Sequence, residues 1–183
     1  TITAPPFCQY PSNVAAHEEL KSLAFKDPLT GLLNRRAMER ALKREINRSR
    51  RYNSTLSVVF IDLDGFKKVN DVYGHDSGDD LLIYVAGCLK NMCRESDIIS
   101  RFAGDEFVLI LPQASLEEAG QLIERIREHF RLNPFSSGVH NETIAFSCGV
   151  VSPFHNELED AASVLKKADE LMYRDKAERK LCL

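Results

Sequence analysis

The chain has 183 residues, 44% apolar and 28% charged, and its 24 Lys plus Arg against 27 Asp plus Glu leave a formal net charge of −3. That balance fits a soluble globular domain with a well-filled core and gives no ground for a globally basic nucleic-acid binder. No apolar run approaches the roughly 18–20 residues of a membrane-spanning helix, and no secretory pattern opens the chain.

In chain order, residues 1–12 hold three of the seven prolines and read as a linker. Asn13 to about Phe25 reads as a short polar helix, broken by Asp27-Pro28. A second helix is predicted from Arg35 to about Arg51, with eight Lys/Arg against two Glu. Such a helix could bind an anionic surface, but a solvated face that also serves partner contacts is the simpler reading. Leu56–Ile61 is a short β-rich apolar run, predicted as a central strand buried on both faces and stopping at Asp62-Leu63-Asp64-Gly65. Leu81, Leu82, Val85, Ala86 and Leu89 recur at helical spacing. Ile98–Phe102 and Phe107–Leu111 read as a hairpin joined by Ala103-Gly104-Asp105-Glu106. Ser115 is a predicted N-cap for a helix through Phe130, residues 134–142 a loop, Thr143–Val151 a fourth strand, and Asp160 to about Lys180 a last helix. The order β-α-β-β-α-β-α suits an α+β domain with a ferredoxin-like antiparallel sheet, extra helices and its helices on one face.

The five cysteines, Cys8, Cys88, Cys93, Cys148 and Cys182, are odd in number and lack zinc-site or thioredoxin spacing. They read as free thiols of a cytoplasmic domain, whether or not its parent protein is membrane-anchored. The chain opens at Thr1 and carries methionines only at 38, 92 and 172. It therefore reads as part of a longer protein: residues 1–24 as a linker and the end of a signalling helix, and 25–183 as the domain itself.

In a ferredoxin-like sheet the first strand lies antiparallel beside the third. Asp62, at the end of strand one, then meets Asp105 and Glu106, at the start of strand three. Crowded carboxylates repel unless a cation neutralises them, and Mg²⁺ favours one or two carboxylates plus substrate phosphates. Solvated loop acids are the plainer alternative. A calcium loop is excluded, because its Gly and closing Glu would fall at Lys67 and Tyr73. No P-loop, Gly-rich dinucleotide fingerprint, zinc-protease motif or nucleophile elbow is present. Backbone N–H groups around Leu63 to Phe66 could still cradle a phosphate, with Gly65 permitting close approach.

The run Phe60-Ile61-Asp62-Leu63-Asp64-Gly65-Phe66-Lys67-Lys68-Val69-Asn70-Asp71 resembles the F-x-D-x-D-x-F-K-x-x-N-D segment of the GGDEF family, the diguanylate cyclase catalytic domains. Gly74-His75-Asp76-Ser77-Gly78-Asp79 continues the match, and Arg101-Phe102-Ala103-Gly104-Asp105-Glu106-Phe107 resembles the signature hairpin. Asp27–Arg35 and Ala168–Lys176 add two further collinear matches.

The resemblance implies condensation of two GTP into cyclic di-GMP with release of pyrophosphate, by two copies that each hold one GTP. By position, Asp62, Asp105 and the Leu63 carbonyl would bind Mg²⁺, with Mn²⁺ as a substitute. Asp105 would accept the 3′-hydroxyl proton, and Glu106 is the second signature acid. Asn70 and Asp79 would read the guanine edge with His75 nearby, although both could equally cap helices. Lys176, aided by Lys180, would grip phosphates. Arg94-Glu95-Ser96-Asp97 matches the family's R-x-x-D inhibitory site, so Arg94 and Asp97 would hold cyclic di-GMP as inhibitor.

Two departures stand out: Ala103 replaces the first signature glycine, and Lys176-Ala177-Glu178-Arg179-Lys180 replaces K-x-x-G-R. They motivate an alternative, a non-catalytic GTP or cyclic di-GMP sensor acting through a protein partner. A polymerase-like palm, suggested only by the basic helix, is the weakest option, and no nucleic-acid partner is expected.

Overall fold

The computed structural model describes residues 25–137, 140–154 and 160–181. The expected linker over 1–12, nearly all of the helix predicted over 13–25, Cys8 and Cys182 lie outside the described residues. The elements run α1 (Arg35–Tyr52), β1 (Leu56–Asp64), α2 (Phe66–Tyr73), α3 (His75–Met92), β2 (Ile98–Ala103), β3 (Glu106–Pro112), α4 (Leu116–Leu132), β4 (Phe135–Ser137), β5 (His140–Glu142), β6 (Ala145–Val151) and α5 (Ala161–Leu181).

The main sheet has the order β2-β3-β1-β6, with every neighbouring pair antiparallel. This is the ferredoxin-like order, with β1 central and beside β3. β1 runs three residues past the predicted stop, because Asp62, Leu63 and Asp64 still pair with Ser147, Phe146 and Ala145 of β6. The polar signal at Asp62-Leu63-Asp64 thus marks the last residues of the strand, and the turn itself begins at Gly65, which has φ +77°.

The placement of the helices on one face needs correction, since both faces of the sheet are covered. Leu81, Val85, Leu122 and Ile126, from α3 and α4, pack on Val59, Ile61, Leu63, Phe107 and Leu109. Met38, Leu42, Ile46, Val164 and Ala168, from α1 and α5, pack on Leu56, Val58, Phe60, Val108 and Ile110. Consecutive residues of β1 and β3 alternate between the two cores, as a two-residue period requires. Each fully buried Leu, Ile, Val or Phe contributes about 1.5–3 kcal/mol, so both layers are substantial.

Local signals explain most boundaries. Asn34 caps α1 by accepting the Ala37 N–H, and Asn53 ends it in the left-handed region. The eight Lys and Arg of α1 are all exposed, while its apolar stripe is buried. Ser115 and Glu118 form a reciprocal capping box on α4. Residues 134–142, expected as a loop, contain the short antiparallel ribbon β4–β5. Strands of three residues are too short to leave a periodic signal.

Candidate active site

The parity of β1 decides which side chains meet. Leu56, Val58 and Phe60 face α1 and α5, so Asp62 and Asp64 continue that row toward α5. Asp62 is only 9% exposed and pairs across the ladder with Glu106 on one side and Ser147 on the other. Asp105 lies in the two-residue turn between β2 and β3, and its carbonyl accepts the Leu63 N–H at 3.2 Å. Asp62, Asp105 and Glu106 therefore share one end of the sheet, as the topology requires.

Their electrostatics reflect the crowding. Burial pushes the Asp105 carboxyl above its ordinary value, and the Asp62 charge adds to this against Lys176 and Arg101. Burial likewise raises Glu106, followed by the charges of Asp62, Asp105 and Asp169. Asp64 is raised by burial despite a 2.8 Å hydrogen bond from the Ser147 hydroxyl. Lys176 answers this excess of negative charge from α5, donating from Nζ to Asp62 Oδ1 at 2.5 Å. Burial works against its ammonium, but Asp62, Asp64 and Asp105 outweigh it and raise its pKa.

Among the described residues, no three His, Cys, Asp or Glu side chains gather closely enough to hold a metal by themselves. The three acids share a neighbourhood without forming a three-carboxylate cage. The Lys176 ammonium seated on Asp62 beside Asp105 marks this end of the sheet as a site of concentrated negative charge. Two carboxylates with a backbone carbonyl form an all-oxygen donor set, which suits Mg²⁺ provided other ligands come from water or substrate.

Asn70 lies on α2, and the side chain nests against Gly78 of α3: a Cβ at Gly78 would stand 1.9 Å from Asn70 Oδ1. His75 and Asp79 are exposed on the first turns of α3. The N-caps of α2 and α3 are Gly65 and Gly74, neither helix has a side-chain cap, and so Asn70 and Asp79 are not helix caps. Tyr73 Oη donates to Glu142 Oε1 at 2.5 Å and ties α2 to the β4–β5 ribbon.

Ala103 ends β2 with φ outside the left-handed region, and the turn's positive φ, +46°, belongs to Gly104. The methyl group at this signature position thus meets no backbone conflict. The same hairpin is anchored by Arg101, which donates from Nε to the Gly104 carbonyl at 2.8 Å and from Nη1 to Asp27 at 3.2 Å. Lys180 is exposed near the end of α5, and Arg179 is engaged with Asp175 at 3.1 Å.

Arg94 and Asp97 lie at the other end of β2. Asp97 accepts the Arg94 backbone N–H at 2.8 Å, while the Arg94 guanidinium is 3.8 Å from Glu118. Both border a cavity of about 120 Å³ that Arg125 also lines.

Sequence reading overlooked Asp64, although its parity with Asp62 was available. It also overlooked Arg101 with Asp27, and Arg127 with Asp175. These partners are 74 and 48 residues apart, and no short-range spacing signals them.

A family model described as diguanylate cyclase, GGDEF domain, matches residues 24–181. The chain is 40% identical over 159 residues to the diguanylate cyclase DgcP of Pseudomonas aeruginosa, covering 87% of this chain and only 23% of that protein. Among solved structures, the diguanylate cyclase SiaD from Pseudomonas aeruginosa, in complex with its activator SiaC, matches with a TM-score of 0.80. That match has 35% identity and covers 90% of this chain and 63% of the other. The coiled coil and GGDEF domain of DgcB from Caulobacter crescentus, in complex with c-di-GMP, matches with a TM-score of 0.82 and 27% identity, over 90% and 87% of the two chains.

Proposed function

The chain belongs to the diguanylate cyclase GGDEF domain family, and from that premise we propose that it joins two GTP molecules into cyclic di-GMP, releasing pyrophosphate. The observation that carries the reading is the buried Asp62 beside the half-buried Asp105, with the Lys176 ammonium bonded to Asp62. Asp62, Asp105 and the Leu63 carbonyl would hold Mg²⁺, or Mn²⁺ in its place. When bound, the ion supplies charge neutralisation and Lewis-acid polarisation at the triphosphate.

The chain's own residues do the rest. Asp105, with its proton affinity raised by burial and by Asp62, accepts the proton of the 3′-hydroxyl. Glu106 adds negative charge beside it. Asp79 accepts from the N1–H and N2–H₂ donors of the guanine edge, where adenine would offer no matching pair, Asn70 hydrogen-bonds the same edge, and His75 borders them. The uncapped N-terminus of α2 turns backbone N–H groups toward a phosphate. Lys176 exchanges Asp62 for the phosphates, with Lys180 as a more distant charge. Because one domain holds one GTP, turnover requires two copies to meet. Cyclic di-GMP then inhibits by binding at Arg94 and Asp97.

A binding-only sensor remains the competing reading. It keeps one ground, the altered Lys176–Lys180 tail; the other loses weight because Ala103 needs no positive φ.

One experiment separates the two. The purified chain is incubated with GTP and Mg²⁺ over a range of protein concentrations and the products are resolved by chromatography. Cyclic di-GMP should form at a rate that rises faster than linearly with protein, and Asp105→Asn should lower it at least about 100-fold. GTP binding without product, even from an enforced dimer, would establish the sensor instead.

A further inference from the structure

Among the described residues β6 is an edge strand, bonded to β1 on one side only. Its other margin presents backbone groups that need partners, and two side chains supply them. Arg127 of α4 donates from Nη1 to the Phe146 carbonyl at 3.4 Å, and Asp175 of α5 accepts the Cys148 N–H at 2.8 Å. The two side chains join at 3.2 Å, and Asp175 also accepts from Arg179 at 3.1 Å. Arg127 further lies 4.9 Å from the centre of the Phe146 ring and 3.2 Å from Cys148 Sγ. With side chains 19% and 27% exposed, this pair is better shielded from water than an ordinary surface ion pair.

The next residue along α5 is Lys176, whose ammonium is seated on Asp62. Consecutive helical residues point about 100° apart, so Asp175 grips the outer margin of β6 while Lys176 reaches across toward β1. Between them α5 lies directly on the strand. A Cβ at Gly149 would stand 1.9 Å from the Ala168 carbonyl oxygen and 2.5 Å from the Met172 nitrogen. Two grips on opposite sides of one strand stop the helix from rolling about its own axis.

We propose that Asp175, held by Arg127, is a positioning residue that sets the rotation of α5 and thereby aims Lys176 into the acidic site. The kinetic consequence rests on the GTP reading of that site, whereas the aiming of Lys176 does not.

The test therefore has two arms, both on the full chain. In the first, without nucleotide, lysines are labelled by a pulse of acetic anhydride and located by mass spectrometry. Asp175→Ala and Asp175→Asn should speed acetylation of Lys176 about fivefold, the protection of roughly one hydrogen bond, and leave Lys166 and Lys180 as in the wild type. An unchanged Lys176 rate in a folded variant overturns the proposal. If Asp175→Ala does not fold, Asp175→Asn, which keeps an acceptor for the Cys148 N–H, decides this arm.

In the second arm, Asp175→Ala should raise KM for GTP about tenfold with a smaller change in kcat, and should have no further effect in a Lys176→Ala background. An equal loss in both backgrounds marks a merely structural role and overturns it. Failure of the wild type to turn over GTP would count against the reaction alone, and the labelling arm would still decide the positioning role.

Discussion

Asp27 is the residue on which the hairpin's approach to the site depends. Burial pushes its carboxyl up, but the hydroxyl and amide of Thr30 and the Arg101 guanidinium outweigh this and hold it below the usual carboxylate range. A group with a lowered folded pKa contributes stability that is full above its unfolded value and is lost as pH falls through the folded one. Asp27→Asn should therefore cost about 2 kcal/mol at pH 7 by denaturant titration, since it strands a half-buried guanidinium. The deficit should begin to shrink below pH about 4, where the unfolded chain's carboxyl takes up a proton, and go on shrinking as pH falls through the lowered folded value. A deficit as large at pH 3 as at pH 7 would mean that shape, not charge, is responsible. At this scale the acids Asp62, Asp105 and Glu106 were legible in the sequence, because strand order alone carries them together. Asp27 and Arg101 each lie in a short motif of the sequence, but their mutual bond spans 74 residues and leaves no local trace.

Among the described elements, α5 and β6 meet backbone to backbone. Gly149 is the reason, since the space a Cβ would need is taken by backbone atoms of Ala168 and Met172. Backbone cannot rotate aside as a side chain can, so Gly149→Ala should destabilise the fold by about 3 kcal/mol. In a domain of this size that lowers the melting temperature by roughly 6–12 °C. A variant melting within 2 °C of the wild type would show that α5 can lift without penalty. The helices and main strands were readable because their apolar spacing repeats, and Ser115 announced α4 through its side chain. Which face each helix covers was not readable. Apolar stripes on α1, α3, α4 and α5 look alike in one dimension, and only the alternation of a strand buried on both sides sorts them into two layers.

Over the whole molecule, two chemically distinct ends are held apart by β2, a six-residue strand roughly 17 Å long. A ligand held by Arg94 and Asp97 would lie a strand's length from Asp105, so the proposed inhibition there would act at a distance from the reacting atoms, as by restraining how copies approach one another. Arg94→Ala should raise the concentration of cyclic di-GMP needed for half-inhibition about tenfold, measured from initial rates with added product. An unmoved curve would leave the Arg94–Asp97 turn as a surface contact. The margins of the sheet bear on the same encounter. Leu33 bonds to Ile99 and Arg101 along the free side of β2, and Arg127 with Asp175 occupies the free side of β6. Among the described residues, both borders of the main sheet thus carry contacts that hinder extension of that sheet into another copy, a mode of joining that is slow to undo. The proposed pairing of copies would then run through side-chain surfaces, whose contacts form and dissolve readily. The proposed reaction, in which two copies meet and part again at every cycle, would need that kind of reversible handshake.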